Sequence, residues 1–293
     1  MAIPPATVSS VAGGWHLDPA PAFVIVLAGG LYALGVRRLR TRAASAGHRD
    51  HPWPAARTAC FGSGLAVLAF ATQSGLARYD TVLLSLHTLQ HVLLGMVAPL
   101  LMALGAPVTL ALQASRRPTQ LVLLKIVHNR VVETLTQPVV AWALFGGTLF
   151  GLYFSPLFDL SLDHPLLHAA VHTHFVVVGM LFFWPAVGLD PMRRRLAHPA
   201  RLLYVLLAVP FHAFLGLAVL SSTAHPLGAA VYGKVARDWG PSLAADQRTA
   251  AGILWAVGDL FGLVAGGIVA AQWYRADQRR QLREDRRLDA LGR

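Results

Sequence analysis

The chain has 293 residues, of which 55% are hydrophobic and 13% charged, with a mean hydropathy of +0.52 and a formal net charge of +11. Such hydropathy over this length excludes an ordinary soluble domain and describes an all-α integral membrane protein. In a soluble chain this charge would point to nucleic acid; here the positive residues sit in loops between apolar stretches, so they report membrane topology and no nucleic-acid partner is expected.

Residues 1–20 contain neither Lys nor Arg and no apolar run of their own, so they lack the basic start of a cleaved signal peptide and read as an extracytoplasmic N-terminal segment. Seven apolar stretches follow, each approaching the roughly 20 residues a helix needs to cross a bilayer. They run from Pro21 to Val36, Ala59 to Leu76, Val82 to Leu104, Val139 to Phe154, Leu166 to Val187, Leu202 to Ser222 and Thr249 to Tyr274. Residues 21–274 thus read as a seven-helix bundle, and residues 275–293 as a basic tail facing lipid headgroups. The single cysteine, Cys60, has no partner for an internal disulfide and reads as a small packing residue.

Within this order, Pro99 and Pro210 interrupt the third and sixth spans; each removes a backbone donor and frees a carbonyl one turn earlier. Gly105-Ala106-Pro107 ends the third span. Arg117 to Gln137 mixes Leu121, Leu124, Ile126, Val131 and Leu135 with Lys125, Asn129, Arg130 and Glu133, the pattern of an amphipathic helix lying on the membrane surface. The stretch Thr223 to Arg248, punctuated by Gly and Pro and carrying Tyr232, Lys234 and Trp239, reads as a lid or a docking surface.

The basic residues alternate by loop. Arg37, Arg38, Arg40, Arg42, Arg49 and Arg57 follow the first span, Arg116, Arg117, Lys125 and Arg130 the third, Arg193, Arg194, Arg195 and Arg201 the fifth, and seven arginines the seventh. Only Arg78, Lys234, Arg237 and Arg248 fall on the other face. The positive-inside rule then puts the N-terminus outside and the C-terminus in the cytoplasm, and seven spans supply the required parity.

Against that topology the histidines acquire a location. Six of the thirteen lie inside spans: His87, His91, His168, His172, His174 and His212. At about 1.5 Å of rise per residue, His87 and His91 lie roughly 8 and 14 Å below the outer boundary, and His168, His172 and His174 at comparable depth. His164 sits at the boundary, His212 near the midplane, and His225 just outside. His87 with His91, and His164 with His168 and His172, are spaced i, i+4 and so share a helix face. Ionisable groups at membrane depth are costly without partners, which makes a bound metal ion the expected partner. Imidazole suits Zn, Cu, Fe and Ni, while Met96, Met102 and Met180 in the same helices read as core.

His174 points away from its neighbours, and His16, His48, His51, His128 and His198 read as surface. Asp259, near the midplane of the seventh span, is expected to pair with His212, either orienting a ligating imidazole or as a structural bond. Asp80, Asp159 and Asp163 stand at outer span ends where few basic residues compete, a place to draw in a cation, although helix-cap duty is the favoured reading. Nothing resembles a nucleophile with its base, a phosphate-cradling glycine loop or a four-cysteine metal site, so no enzyme activity is expected.

The run His87-Thr-Leu-Gln-His91-Val-Leu-Leu, with Ala98-Pro99-Leu-Leu and Leu104-Gly105-Ala106-Pro107, resembles the CtaG-like family of cytochrome c oxidase assembly factors. So do Asp163-His164-Pro165-Leu-Leu-His168 with His172, Phe183-Trp184-Pro185 with Gly188-Leu-Asp190-Pro191, Phe211-His212-Ala213-Phe214-Leu-Gly216 with Ser221-Ser222, and Asp246-Gln247 with Gly252, Trp255 and Asp259. The resemblance runs from about Thr58 to Trp273. It implies a seven-span plasma-membrane protein needed to form an active caa(3)-type haem-copper oxidase, with copper delivery as the proposed role. His87, His91, His168, His172 and His212 fall on its motif positions and are the expected metal ligands, with Asp259, His164 and His174 accessory. One departure is Val92, where members often carry Met. The expected cargo is copper, most plausibly as Cu(I), and the expected partners are an oxidase subunit, a copper donor protein and the lipid membrane. A haem-binding redox protein, a copper or ion transporter, and a scaffold whose polar residues merely hold helices together are the alternatives.

Overall fold

The computed structural model describes residues 3–45, 53–193, 195–222 and 225–291. His48, Arg49, His51, Arg194 and Thr223, named above, lie outside that set, as does Arg293, the last of the seven arginines after the seventh span. Among the described residues all regular structure is helical: α1 (Val8–Gly13), α2 (Pro19–Ser45), α3 (Ala55–Gln73), α4 (Leu76–Tyr79), α5 (Leu84–Val92), a π turn (Leu93–Val97), α6 (Ala98–Leu104), α7 (Pro107–Ala114), α8 (Arg117–Val127), α9 (Arg130–Leu135), α10 (Pro138–Tyr153), α11 (Leu157–Asp163), α12 (Pro165–Val187), α13 (His198–Leu206), α14 (Val209–Ser221), α15 (Ala229–Tyr232) and α16 (Leu243–Leu291).

Among the described residues six helical runs are long and apolar enough to cross a membrane; α10 and α11 pass that test only when taken together, as a pair bent by 70°, which gives six or seven candidate spans. This is a multi-pass membrane protein. Large apolar side chains left exposed, such as Phe23 and Leu31 on α2, Phe214 on α14 and Leu263 on α16, belong against lipid.

The central rod is the third span. It is the most buried, 61% against 17% for the first, and it is surrounded by α3, α12 and α16. Pro99 shapes it. Its missing N–H leaves the Gly95 carbonyl without an intrahelical donor, and the helix widens into the π turn just before the proline ring, with the Ala98 N–H bonding to the Leu93 carbonyl. The opposing residue on α12 is Gly179. A Cβ there would lie 2.2 Å from the Gly95 oxygen and 2.7 Å from Pro99 Cγ, so only glycine lets the two backbones come this close.

A second close approach joins α16 to the sixth span. Gly258, Gly262 and Gly266 form a stripe at i, i+4 and i+8, against His212, Val209 and Leu206 respectively. At Pro210 the sixth span breaks into α13 and α14 through a turn at Leu207 and Ala208.

Buried polar groups from distant segments cap these helices. Asp246, at the start of α16, accepts from the backbone N–H of Leu84 (2.6 Å) and Ser85 (3.4 Å) and from the Ser85 hydroxyl, closing the N-terminus of α5. Asp190 does the same for α7, accepting from the N–H groups of Val108 and Thr109. Its carboxyl is pushed above the usual range by burial.

Several boundaries differ from expectation. The fourth span ends at Tyr153 and turns at Ser155-Pro156 into α11, because proline cannot donate into a continuing helix. The surface helix over residues 117–137 is two helices, since Asn129 accepts from the Val131 N–H and starts α9 afresh. The seventh span begins at Leu243 and continues unbroken into the basic tail as far as Leu291.

Replacing Asp246 by Ala leaves buried α5 donors without an acceptor, and should cost about 2 kcal/mol or more. Thermal unfolding in detergent should show a clearly lowered midpoint for Asp246→Ala and an unchanged one for the exposed Asp277→Ala.

Candidate metal centre

The cap on α5 fixes the first turn that carries His87, and the next turn carries His91. Opposite them, α12 presents His168 and His172, also one turn apart. The four imidazoles meet. Ring centroids of His87 and His91 are 4.2 Å apart, His168 and His172 4.2 Å, His87 and His168 5.2 Å, and His91 and His172 5.3 Å. His87 and His168 stack with planes 2° apart.

The cluster is dry and apolar around its rim. His87 is 0% exposed and His91 2%, Phe175 stacks on His91 at 4.3 Å, and the edge of Phe158 lies 5.3 Å from His87. Both ring nitrogens of His87 and the Nε2 atoms of His91, His168 and His172 are buried with no hydrogen-bond partner among the described residues. Such orphaned acceptors are rare in native interiors, because each costs about 1–3 kcal/mol. They converge: donor atoms of His87, His91 and His168 lie within 4.8 Å of one another. Donors bound to one ion at about 2.0 Å sit at most about 4 Å apart, so small side-chain movements close the set onto a metal.

Asp80 joins the cluster from the turn between α4 and α5. It is 4% exposed, its Oδ2 is 3.8 Å from His168 Nε2, and Asp80, His168 and His172 form a second group with donors within 4.8 Å. Burial pushes its carboxyl up to about 7. Tyr232, from the long loop before α16, donates to the Asp80 carbonyl oxygen at 3.0 Å and turns its ring edge toward His87. Trp239 of the same loop donates to the Ile3 carbonyl, and Tyr79 donates to the carbonyl of Pro4, so the loop and the N-terminal segment cover this pole together.

Tyr153, at the end of α10, sets the orientation of His91. Its hydroxyl lies 3.1 Å from His91 Nδ1. With Nδ1 protonated and donating to the tyrosine oxygen, Nε2 presents its lone pair to the cluster, as a ligand must.

A family described as cytochrome c oxidase caa3 assembly factor matches residues 30–276, most of the chain and every residue of this cluster. The chain belongs to that family. Among curated relatives, an uncharacterized protein of Mycobacterium tuberculosis is 36% identical over 294 residues, covering 98% of this chain and 43% of its own length. Another from Mycobacterium leprae is 34% identical over 283 residues, covering 94% and 42%. The chain therefore spans less than half the length of these relatives. No solved structure matches it.

In this caa3 assembly-factor family member the structure brings together four of the five histidines expected as ligands and leaves out His212. That residue, 1% exposed, lines a small cavity of about 20 Å³ together with His91, Gly95, Met96 and Phe145. Its Nδ1 donates to the Ala208 carbonyl at 3.3 Å, leaving Nε2 without a partner. Asp259 does not pair with it. His212 fills the space over Gly258, and the next residue of α16 is turned about 100° away, onto a half-buried face. His164 is exposed ahead of α12, and His174 is exposed and bonded to Thr148 Oγ1 at 2.9 Å; neither reaches the cluster. A larger open cleft of about 330 Å³, lined by Glu133, Trp184 and Arg193, contains none of the histidines.

Asp80 and Tyr153 are the members that sequence reasoning missed. Asp80 stood among acids at span ends, and only its burial separates it from Asp159 and Asp163. Tyr153 carried no signal beyond its place at the end of an apolar run.

The raised Asp80 pKa makes stability depend on pH. The folded state favours the neutral carboxyl, so stability falls as pH rises from about 4, the unfolded value, and the loss is complete above about 7. In metal-free protein, Asp80→Asn should therefore raise the unfolding midpoint at pH 8 and leave it almost unchanged at pH 4, as differential scanning fluorimetry would show.

Proposed function

We propose that the chain holds copper, as Cu(I), among the imidazoles of α5 and α12 and passes it to a subunit of a haem-copper cytochrome c oxidase during assembly. The observation that carries this reading is the convergence of unpartnered, buried ring nitrogens from two helices. Imidazole nitrogen suits copper, and charge decides the oxidation state. The cost of placing an ion in an apolar interior rises with the square of its charge, and His87, His91 and His168 bring no negative charge, so a monovalent ion fits best.

Transfer proceeds by ligand exchange, with no bond of a substrate made or broken and no enzyme chemistry. On this reading, supported by the arginine count by loop, the histidine pole faces the outer side of the plasma membrane and a copper donor protein hands over the ion there. The family description, a caa3 cytochrome c oxidase assembly factor, supports an oxidase of that type as the recipient. Haem binding is less well supported, because the imidazoles already touch one another and the cavity beyond His91 is about 20 Å³, the space of one water and far below that of a macrocycle.

The test is elemental analysis of detergent-purified protein loaded with Cu(I), beside a His87→Ala/His91→Ala variant. The parent should retain copper after dialysis and the variant should lose at least tenfold in affinity; cells carrying the variant should assemble oxidase depleted of copper. Equal copper in both proteins would falsify the site, a Soret band in the parent would favour haem, and copper flux across liposomes would favour a transporter.

A further inference from the structure

The four histidines and Asp80 do not form one symmetrical cage. They form two three-donor groups with one shared member. His87, His91 and His168 make one, and Asp80, His168 and His172 make the other, each with its donor atoms within 4.8 Å. We propose that these are two metal positions in sequence, a receiving position at Asp80, His168 and His172 and a retaining position at His87, His91 and His168, between which the ion moves while His168 stays bound. This deepens the copper reading above and rests on it.

Burial gives the order. His87 and His91 are closed off at 0% and 2% exposure; in the second group Asp80 is also buried, at 4%, but the His168 side chain keeps 13% and His172 is half-buried, so these two rings are the ones an arriving ion meets. Donor chemistry agrees. A carboxylate offers an arriving cation a compensating charge while it sheds water, and the all-imidazole group offers softer donors with none. His168 is placed to serve both. Its ring stacks on His87 at 5.2 Å while its Nε2 lies 3.8 Å from Asp80 Oδ2, so it bridges the two sets.

The step is a ligand substitution without electron transfer. Bonds from the ion to Asp80 oxygen and His172 nitrogen break, bonds to His87 and His91 nitrogen form, and the bond to His168 persists. Copper stays Cu(I) throughout, and the carboxylate is left free to draw in the next cation. Tyr153, bonded to His91 Nδ1, holds the deeper imidazole in place to receive the ion.

Two measurements on the same purified, metal-free protein separate the positions: equilibrium Cu(I) affinity by competition with a chromophoric Cu(I) chelator, and the rate of Cu(I) uptake by stopped flow. Asp80→Asn should slow uptake at least tenfold and leave affinity within about threefold of the parent. His91→Gln should lower affinity at least tenfold and leave uptake within about threefold. His168→Gln should damage both. The copper absorption edge of loaded Asp80→Asn should match the parent, since the ion rests on nitrogen alone. Asp80→Asn and His91→Gln lowering affinity to the same extent, with an altered edge in Asp80→Asn, would overturn the two positions in favour of a single site while leaving copper binding intact. Failure of the parent to take up Cu(I) would overturn the copper reading itself, and with it this inference.

Discussion

The contact on which the rest of the structure depends is the one between the Gly95 carbonyl, freed by Pro99, and the Gly179 backbone. It brings α12 against the central rod, and it also sets the register. His87, His91, Gly95 and Pro99 follow one another at four-residue steps along one face. On α12, His168 and His172 lie two to three turns before Gly179. The two helices run in the same direction, so with Gly95 on Gly179 the residues four places earlier meet and Phe175 stacks on His91 at 4.3 Å; just before Phe175, α12 brings His172 to 5.3 Å from His91 and His168 to 5.2 Å from His87.

That packing imposes a local cost that only a ligand offsets. The close approach excludes water from the imidazoles, and the rim of Phe158, Phe175 and Tyr232 supplies no donor to their free nitrogens. Several buried polar groups elsewhere are satisfied by the fold itself. Asp246, Asp190 and Gln247 are equally buried, yet each is satisfied by backbone groups of another segment. Single unpartnered atoms also occur at Thr58, Trp142, Trp184 and Arg201; what marks the imidazoles is that theirs converge.

Much of this was legible in the sequence, for identifiable reasons. Span positions follow from apolar run length, and the i, i+4 histidines follow from helical periodicity, because both are properties of single helices. What depends on two segments was not legible. Asp80 looks like a cap until the loop around Tyr232 folds over it. His212 and Asp259 share a depth, but depth fixes only one coordinate, and the rotation of α16 that seats Gly258 under the imidazole turns Asp259 aside. The Gly258, Gly262, Gly266 stripe was visible as a motif and would have fixed that rotation, since small residues mark the face where helices meet.

The charge distribution gives the site a direction. Most of the arginines gather at the pole of α8, α9 and the far end of α16, a field that disfavours a cation approaching from that end. The histidine pole carries Asp80, Asp159, Asp163 and Asp246, with Arg78, Lys234, Arg237 and Arg248 as its basic residues. Asp246 is committed to α5 and is not free for an ion. Asp159 and Asp163 belong to α11, outside both three-donor groups. Asp80 is thus the carboxylate of this pole that also belongs to a three-donor group. The cavity that His91 lines has room for about one water, which under the copper reading favours handing an ion over at a surface above conducting it across.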